Sequence, residues 1–228
     1  MIFIAEIGLN YNGNFDLIFE MMKQAKLSGA NIAKFQLGWR DKEGEINQLD
    51  KTKIKQITKW GNYLNIDTMF SIISPKAFNL LNGLKFNKYK IASRTLKYDF
   101  ELAKKIINLK KQTFVSLGMW DKKTFPFKKN KKIYYLWCKS KYPTHINDLI
   151  NFPKKFSINK YAGYSDHSIG IETCLLAISR GAKIIEKHFT LDKSNTTIRD
   201  HVCSATPEEF KILTSLGLDI SKKISLGI

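Results

Sequence analysis

The sequence predicts an α/β protein, a single compact (β/α)8 TIM barrel spanning residues 1–228, on three observations. Short β-branched or apolar runs alternate with longer stretches of helical period, the pattern of a parallel sheet built from βα units. There are eight such runs, and no linker, low-complexity stretch or repeat divides them. With 43% hydrophobic and 25% charged residues the composition is that of an ordinary globular chain.

The elements follow in order. FIAEIG at 3–8 is the first strand, and the helical stretch 15–29 after it has Asn14 or Asp16 as its cap and Gly29 at its end. IAKFQL at 32–37 precedes a helical stretch at 51–65, and TMFSII at 68–73 is the third strand. KYKIAS at 88–93 leads to a helix over 99–111, and TFVSLG at 113–118 is the fifth strand. The connection 119–132 contains Pro126 and a lysine cluster, which predicts that the fifth helix is reduced to a turn or missing. IYYLWC at 133–138, YAGYSD at 161–166 and KIIEKHF at 183–189 complete the strands, with a helix at 169–182 ending near Gly181. Thr206-Pro207-Glu208-Glu209 places Pro at the first helical position and acids in the first turn, so it starts the closing helix at 206–224.

The formal charge of +18 raises nucleic acid or an anionic membrane as partners. Both are disfavoured. Only four of the 38 basic residues are arginine, Arg40, Arg94, Arg180 and Arg199, and the lysines are scattered. The densest run, PFKKNKKIYY at 126–135, lies between two strands and reads as a solvated loop. Cys138, Cys174 and Cys203 are odd in number and show no CxxC spacing, so neither a disulfide framework nor a zinc knuckle is expected, and a reducing cytoplasm fits. The start MIFIAEIG lacks the features of a signal peptide, and no stretch has the length of a transmembrane helix.

In a barrel, alternate strand residues point inward and the C-terminal strand ends carry the active site. Alternation puts Glu6 and Gly8, Lys34 and Gln36, Lys90 and Ala92, and Glu186 and His188 on inward faces. Ala5, Ile7, Ala33, Phe35, Ile91 and Ile185 fall on the opposite faces, against helices. Unpaired charges inside a barrel cost several kcal/mol each, so these groups serve either structural ion pairs or a ligand. Two lysines with hydroxyls at Ser74, Ser93, Ser116 and Ser165 suit a small anion bearing phosphate and carboxylate. His167 and His188 end neighbouring strands, with Asp166, Glu186 and Asp200 close in sequence, and this points to a divalent metal site.

The ordered motifs IAEIGLNYNG, KFQ, YKIAS, SLGM, YPT, GYSDHSIGIE, GAKIIEKHFTLD and DHVCSATPEEF resemble the sialic acid synthase family, including its legionaminic and pseudaminic members. The resemblance covers nearly the whole chain. It implies condensation of phosphoenolpyruvate with an N-acetylhexosamine-type aldehyde sugar, giving a nine-carbon 2-keto sugar acid and phosphate. It further implies that His167 and His188 hold Mn²⁺, with Mg²⁺ or Co²⁺ as alternatives. Lys34, Ser74, Lys90, Ser93, Ser116, Ser140 and Ser165 would bind phosphoenolpyruvate, while Glu6, Tyr142, Glu186 and Asp200 would be the catalytic and sugar-side residues.

Two departures stand out. The family's usual ASGE is ASRT here, so Thr95 replaces a carboxylate expected near the sugar or the attacking water, with Arg94 beside it. The C-terminal antifreeze-like domain of full-length relatives is expected to be absent, which leaves a homodimer or a separate protein carrying that domain as candidate partners. Two alternatives stay open at this point: condensation on a different aldehyde, or a non-catalytic barrel that binds phosphoenolpyruvate or sugar as a partner subunit.

Overall fold

The computed structural model describes residues 1–39, 44–128, 130–195 and 197–228. Eight parallel strands close on themselves in sequence order: β1 (Ile2–Gly8), β2 (Ile32–Leu37), β3 (Asp67–Ile72), β4 (Lys88–Ile91), β5 (Gln112–Ser116), β6 (Ile133–Cys138), β7 (Gly163–Asp166) and β8 (Ile184–His188). Closure by β1 against β8 removes every sheet edge. Around the barrel lie α1 (Leu17–Leu27), α2 (Lys51–Leu64), α3 (Pro75–Leu80), α4 (Ser93–Tyr98), α5 (Phe100–Asn108), α6 (Glu172–Ser179) and α7 (Pro207–Ser225).

Period-two alternation sorts the strand residues into two cores. Ile4, Ile32, Met69, Phe114, Leu136 and Ile184 fill the barrel's interior below the mouth, joined by Ala162 from just before β7. The opposite faces, among them Ala5, Ile7, Ala33, Phe35, Ile91 and Ile185, join the larger layer beneath the helices. Each fully buried aliphatic or aromatic side chain contributes about 1.5–3 kcal/mol by leaving water. Gly163 is required by this packing, because a Cβ there would lie 1.9 Å from the Ile184 carbonyl oxygen on the neighbouring strand.

The joints obey local rules. Asp50 caps α2 by accepting from the Lys53 N–H at 2.8 Å, and Asn65 ends that helix in the left-handed region. Thr206 and Glu209 form a reciprocal capping box, with Pro207 in the first turn of α7. Helix α7 then buries Phe210 and Leu213 against the outer layer.

The expected barrel is therefore present, with differences at the joints. Strand β4 ends at Ile91, so Ser93 starts the short helix α4, which was not anticipated. Helix α3 was not anticipated either, and β7 begins at Gly163 because Tyr161 and Ala162 are not paired as strand residues. Among the described residues no helix links β5 to β6, as expected, and the β6–β7 connection contains only a 3-10 turn at Ile146–Leu149. Aromatic loop residues cover the first gap: Phe127 and Trp120 stack on Phe100 of α5, and Phe125 stacks on Tyr135. No helix among the described residues is long and apolar enough to cross a membrane.

Candidate active site

The inward residues at the C-terminal strand ends line one cavity of about 480 Å³. Glu6 comes from β1, Lys34 and Gln36 from β2, Ser71 from β3, Lys90 from β4, Ser116 from β5, Cys138 from β6, Ser165 from β7, and Glu186 and His188 from β8. Strand register sets this floor, with Glu6 opposite both Lys34 and His188, and Ser165 opposite Glu186.

The floor is an alternating charge cluster. Lys34 Nζ lies 2.7 Å from Glu6 Oε2 and 3.8 Å from Glu186 Oε1, and it donates to Ser71 Oγ at 3.0 Å. Lys90 Nζ donates to Glu186 Oε1 at 2.8 Å, as does Ser165 Oγ at 2.8 Å. Gln36 Nε2 donates to Glu6 Oε1 at 2.8 Å. Burial disfavours charge on both carboxyls, and the outcome differs by their partners. For Glu6 burial wins over Lys34, with the neighbouring Glu186 charge adding to it, and the pKa is raised. For Glu186 the two lysines outweigh burial and hold it at about 2. The Lys90 ammonium is shifted down, since burial exceeds the attraction of Glu186.

Ser116 Oγ, Glu186 Oε2 and His188 Nδ1 are buried without hydrogen-bond partners. An unsatisfied buried polar atom costs about 1–3 kcal/mol, so these atoms are placed to bond a polar ligand in the cavity.

His167 and His188 stand side by side, with ring centroids 5.5 Å apart. Burial, followed by the proximity of His188, holds the His167 pKa at about 4, and burial against the opposing pull of Asp200 does the same for His188. Both rings are therefore neutral at pH 7. His167 Nδ1 is 2.8 Å from the Lys139 carbonyl oxygen, which can only accept, so Nδ1 carries the proton and Nε2 keeps its lone pair. His188 Nδ1 lies 4.0 Å from Asp200 Oδ2. Among the described residues no group of three or more His, Cys, Asp or Glu side chains could hold a metal ion, so the donors offered here are the two neutral imidazoles, a type of ligand that divalent transition ions accept. Tyr142 packs on His167 with ring centroids 4.2 Å apart, and the Arg199 guanidinium covers its ring at 4.5 Å.

Most of the expected residues meet in this cavity: Glu6, Lys34, Lys90, Ser93, Ser116, Ser140, Tyr142, Ser165, His167, Glu186, His188 and Asp200. Ser74 does not line it. Its hydroxyl caps α3 by accepting from the Ala77 N–H at 3.2 Å, and Ser71, three residues earlier and still within β3, holds the position beside Lys34. Asp166 also lies elsewhere. It points outward and is buried against Lys187 at 2.6 Å, with Tyr164 and Ser168 donating to it, because residues 164 and 166 share the outer face of β7. Thr95 is turned from the cavity, its Oγ1 donating to the Ile72 carbonyl at 2.9 Å, whereas Arg94 lines the rim. Sequence reasoning missed Ser71, Cys138, Trp39 and Arg199. The first two were legible from strand alternation; Trp39 follows the end of β2 and Arg199 opens a 3-10 turn at Arg199–His201, both beyond it.

A closed parallel barrel with a charged cavity of about 480 Å³ at the C-terminal strand ends defines the class, a (β/α)8 protein with the ligand site of that fold. Within that class the chain belongs to the NeuB family, whose sequence profile matches residues 42–226. It is 35% identical to an uncharacterised protein of Methanocaldococcus jannaschii, across 98% of this chain and 72% of that one. It is 31% identical to the N-acetylneuraminate-9-phosphate synthase of Drosophila melanogaster, across 93% of this chain and 66% of that one. Among solved structures it is similar to the N-acetylneuraminic acid synthetase of Leptospira borgpetersenii in complex with citrate, with TM-score 0.85 and 28% identity over 98% of this chain and 84% of the other.

Proposed function

We propose that the protein condenses phosphoenolpyruvate with an N-acetylhexosamine-type aldehyde to form a nine-carbon 2-keto sugar acid, with release of phosphate. The observation that carries this reading is one cavity holding Lys34, Lys90 and a ring of serine hydroxyls beside two neutral histidines. Family membership supports it, because relatives bear the names of such synthases.

Lys34 and Lys90, with Ser93, Ser116, Ser140 and Ser165, bind the phosphate and carboxylate of phosphoenolpyruvate. His167 and His188 would hold Mn²⁺, or Mg²⁺ or Co²⁺, which supplies Lewis-acid polarisation of the aldehyde when bound. The enol carbon bonds to the aldehyde carbon, water adds at the phosphate-bearing carbon, and the carbon–oxygen bond to phosphate breaks. Glu6, whose carboxyl is the readier of the pair to hold a proton, donates it to the aldehyde oxygen and recovers one from the attacking water. Glu186 stays ionised and positions Lys90 and Ser165. Tyr142 and Asp200, nearer the mouth, contact the sugar.

The test is phosphate release from phosphoenolpyruvate by the purified protein with Mn²⁺, with and without a panel of N-acetylhexosamines and related aldehydes. Sugar-dependent release that disappears in His167→Ala is expected. Binding of phosphoenolpyruvate with no release across the panel would overturn the catalytic reading and leave a binding barrel. The names of relatives cover phosphorylated and unphosphorylated products, so the family leaves the charge of the acceptor open.

A further inference from the structure

Among the described residues the charges around the cavity are not evenly matched, and five cationic side chains line it, Lys34, Lys90, Arg94, Lys141 and Arg199. Four have a carboxylate within reach: Lys34 has Glu6 at 2.7 Å, Lys90 has Glu186 at 2.8 Å, Lys141 has Asp148 at 2.9 Å and Arg199 has Asp200 at 3.5 Å. Arg94 makes no ion pair and no hydrogen bond among the described residues.

Its guanidinium is nevertheless positioned. It lies over the Trp39 ring at 4.7 Å from the centroid and over the Tyr98 ring at 5.3 Å. The ring contacts hold the guanidinium without consuming its N–H donors in hydrogen bonds to described residues, which leaves them to a bidentate oxyanion. Arg94 sits exposed at the rim, on the first turn of α4, whereas the floor already supplies two buried lysines and the serine hydroxyls. The neighbouring Thr95 adds no carboxylate to the cavity, since it is buried against Ile72.

We infer that Arg94 selects an acceptor sugar carrying an oxyanion, phosphate or carboxylate, at the end remote from its aldehyde. This rests on the condensation reading above and names its acceptor class. A guanidinium with no carboxylate partner among the described residues would gain little from a neutral sugar, whereas a charge-assisted pair at the rim favours the anionic form by about tenfold or more.

Calorimetry with phosphoenolpyruvate present would compare the 6-phosphates of N-acetylmannosamine and N-acetylglucosamine, N-acetylglucosaminuronate and the neutral parent sugars. Wild-type protein, Arg94→Gln and Arg94→Gly would each be titrated, with thermal melting as the folding check. Wild type is expected to bind one of the anionic sugars at least about tenfold more tightly than its neutral parent, with the preference lost in both variants and neutral binding unchanged. The arm that binds distinguishes phosphate from carboxylate. Equal affinity for anionic and neutral sugars in wild type, or a preference that survives in Arg94→Gln, would overturn the inference. So would weakened phosphoenolpyruvate binding with an unaltered sugar preference, which would assign the guanidinium to the floor. Because the readout is binding, absence of phosphate release with every sugar would count against the condensation and not against Arg94.

Discussion

Lys90 and Glu186 meet at 2.8 Å across the barrel, although β4 and β8 lie on opposite sides of it. Neither is solvated, and Lys34 at 3.8 Å completes the compensation of Glu186. Lys90→Met leaves the carboxylate short of a partner, and the expected cost is about 3–5 kcal/mol, softened by whatever Lys34 recovers. Urea denaturation measures it, and calorimetry should show phosphoenolpyruvate binding weakened at least about tenfold by loss of one charge-assisted contact. Unchanged affinity would remove Lys90 from the anion site.

The two histidines make a separate prediction. His167→Ala and His188→Ala should each abolish tight Mn²⁺ binding, followed by electron paramagnetic resonance of free Mn²⁺, while the folded signal in circular dichroism persists. Wild-type Mn²⁺ affinity in the double variant would refute the metal site.

Acid stability of the metal-free protein follows from the same rings. Both pKa values fall from an ordinary 6.5 to about 4 on folding, so the unfolded chain binds more protons between these limits. Their stabilising contribution is full above pH 6.5 and is lost as the pH falls towards 4. The limiting slope is about 1.4 kcal/mol per pH unit for each ring. Denaturation in the presence of chelator at stepped pH should show the loss in wild type and a shallower limb in His167→Ala. Equal slopes would show that His167 titrates normally.

Asp166 and Lys187 form a fully buried pair outside the cavity, the burial penalty on Asp166 being outweighed by Lys187 so that its carboxyl is held down. Asp166→Ala should destabilise by about 3–5 kcal/mol. Among molecules that remain folded, Mn²⁺ stoichiometry should be unaltered. A lost metal with intact stability would reverse the assignment.

Ser71 and Ser74 should separate cleanly. Ser74→Ala removes a helix cap worth about 1 kcal/mol and should leave phosphoenolpyruvate affinity alone. Ser71→Ala frees Lys34 from one hydrogen bond and should alter affinity with little change in melting temperature.

The eight strands, their order and the inward set of Glu6, Lys34, Lys90, Glu186 and His188 follow from the order of residues alone, because extended backbone alternates with a period of two whatever surrounds it. The same rule, applied strictly, puts Asp166 outward and Ser71 inward, so those assignments were legible as well. Past the strand ends the alternation stops. That Ser93 begins a helix, that Thr95 turns to Ile72, and that Arg94 reaches the rings of Trp39 and Tyr98 depends on packing between distant segments. So does the choice of carboxylate that each lysine meets, since Lys90 and Glu186 are 96 residues apart and only barrel closure brings them together. Local backbone geometry sets the direction in which a side chain points, and long-range packing sets what it finds there.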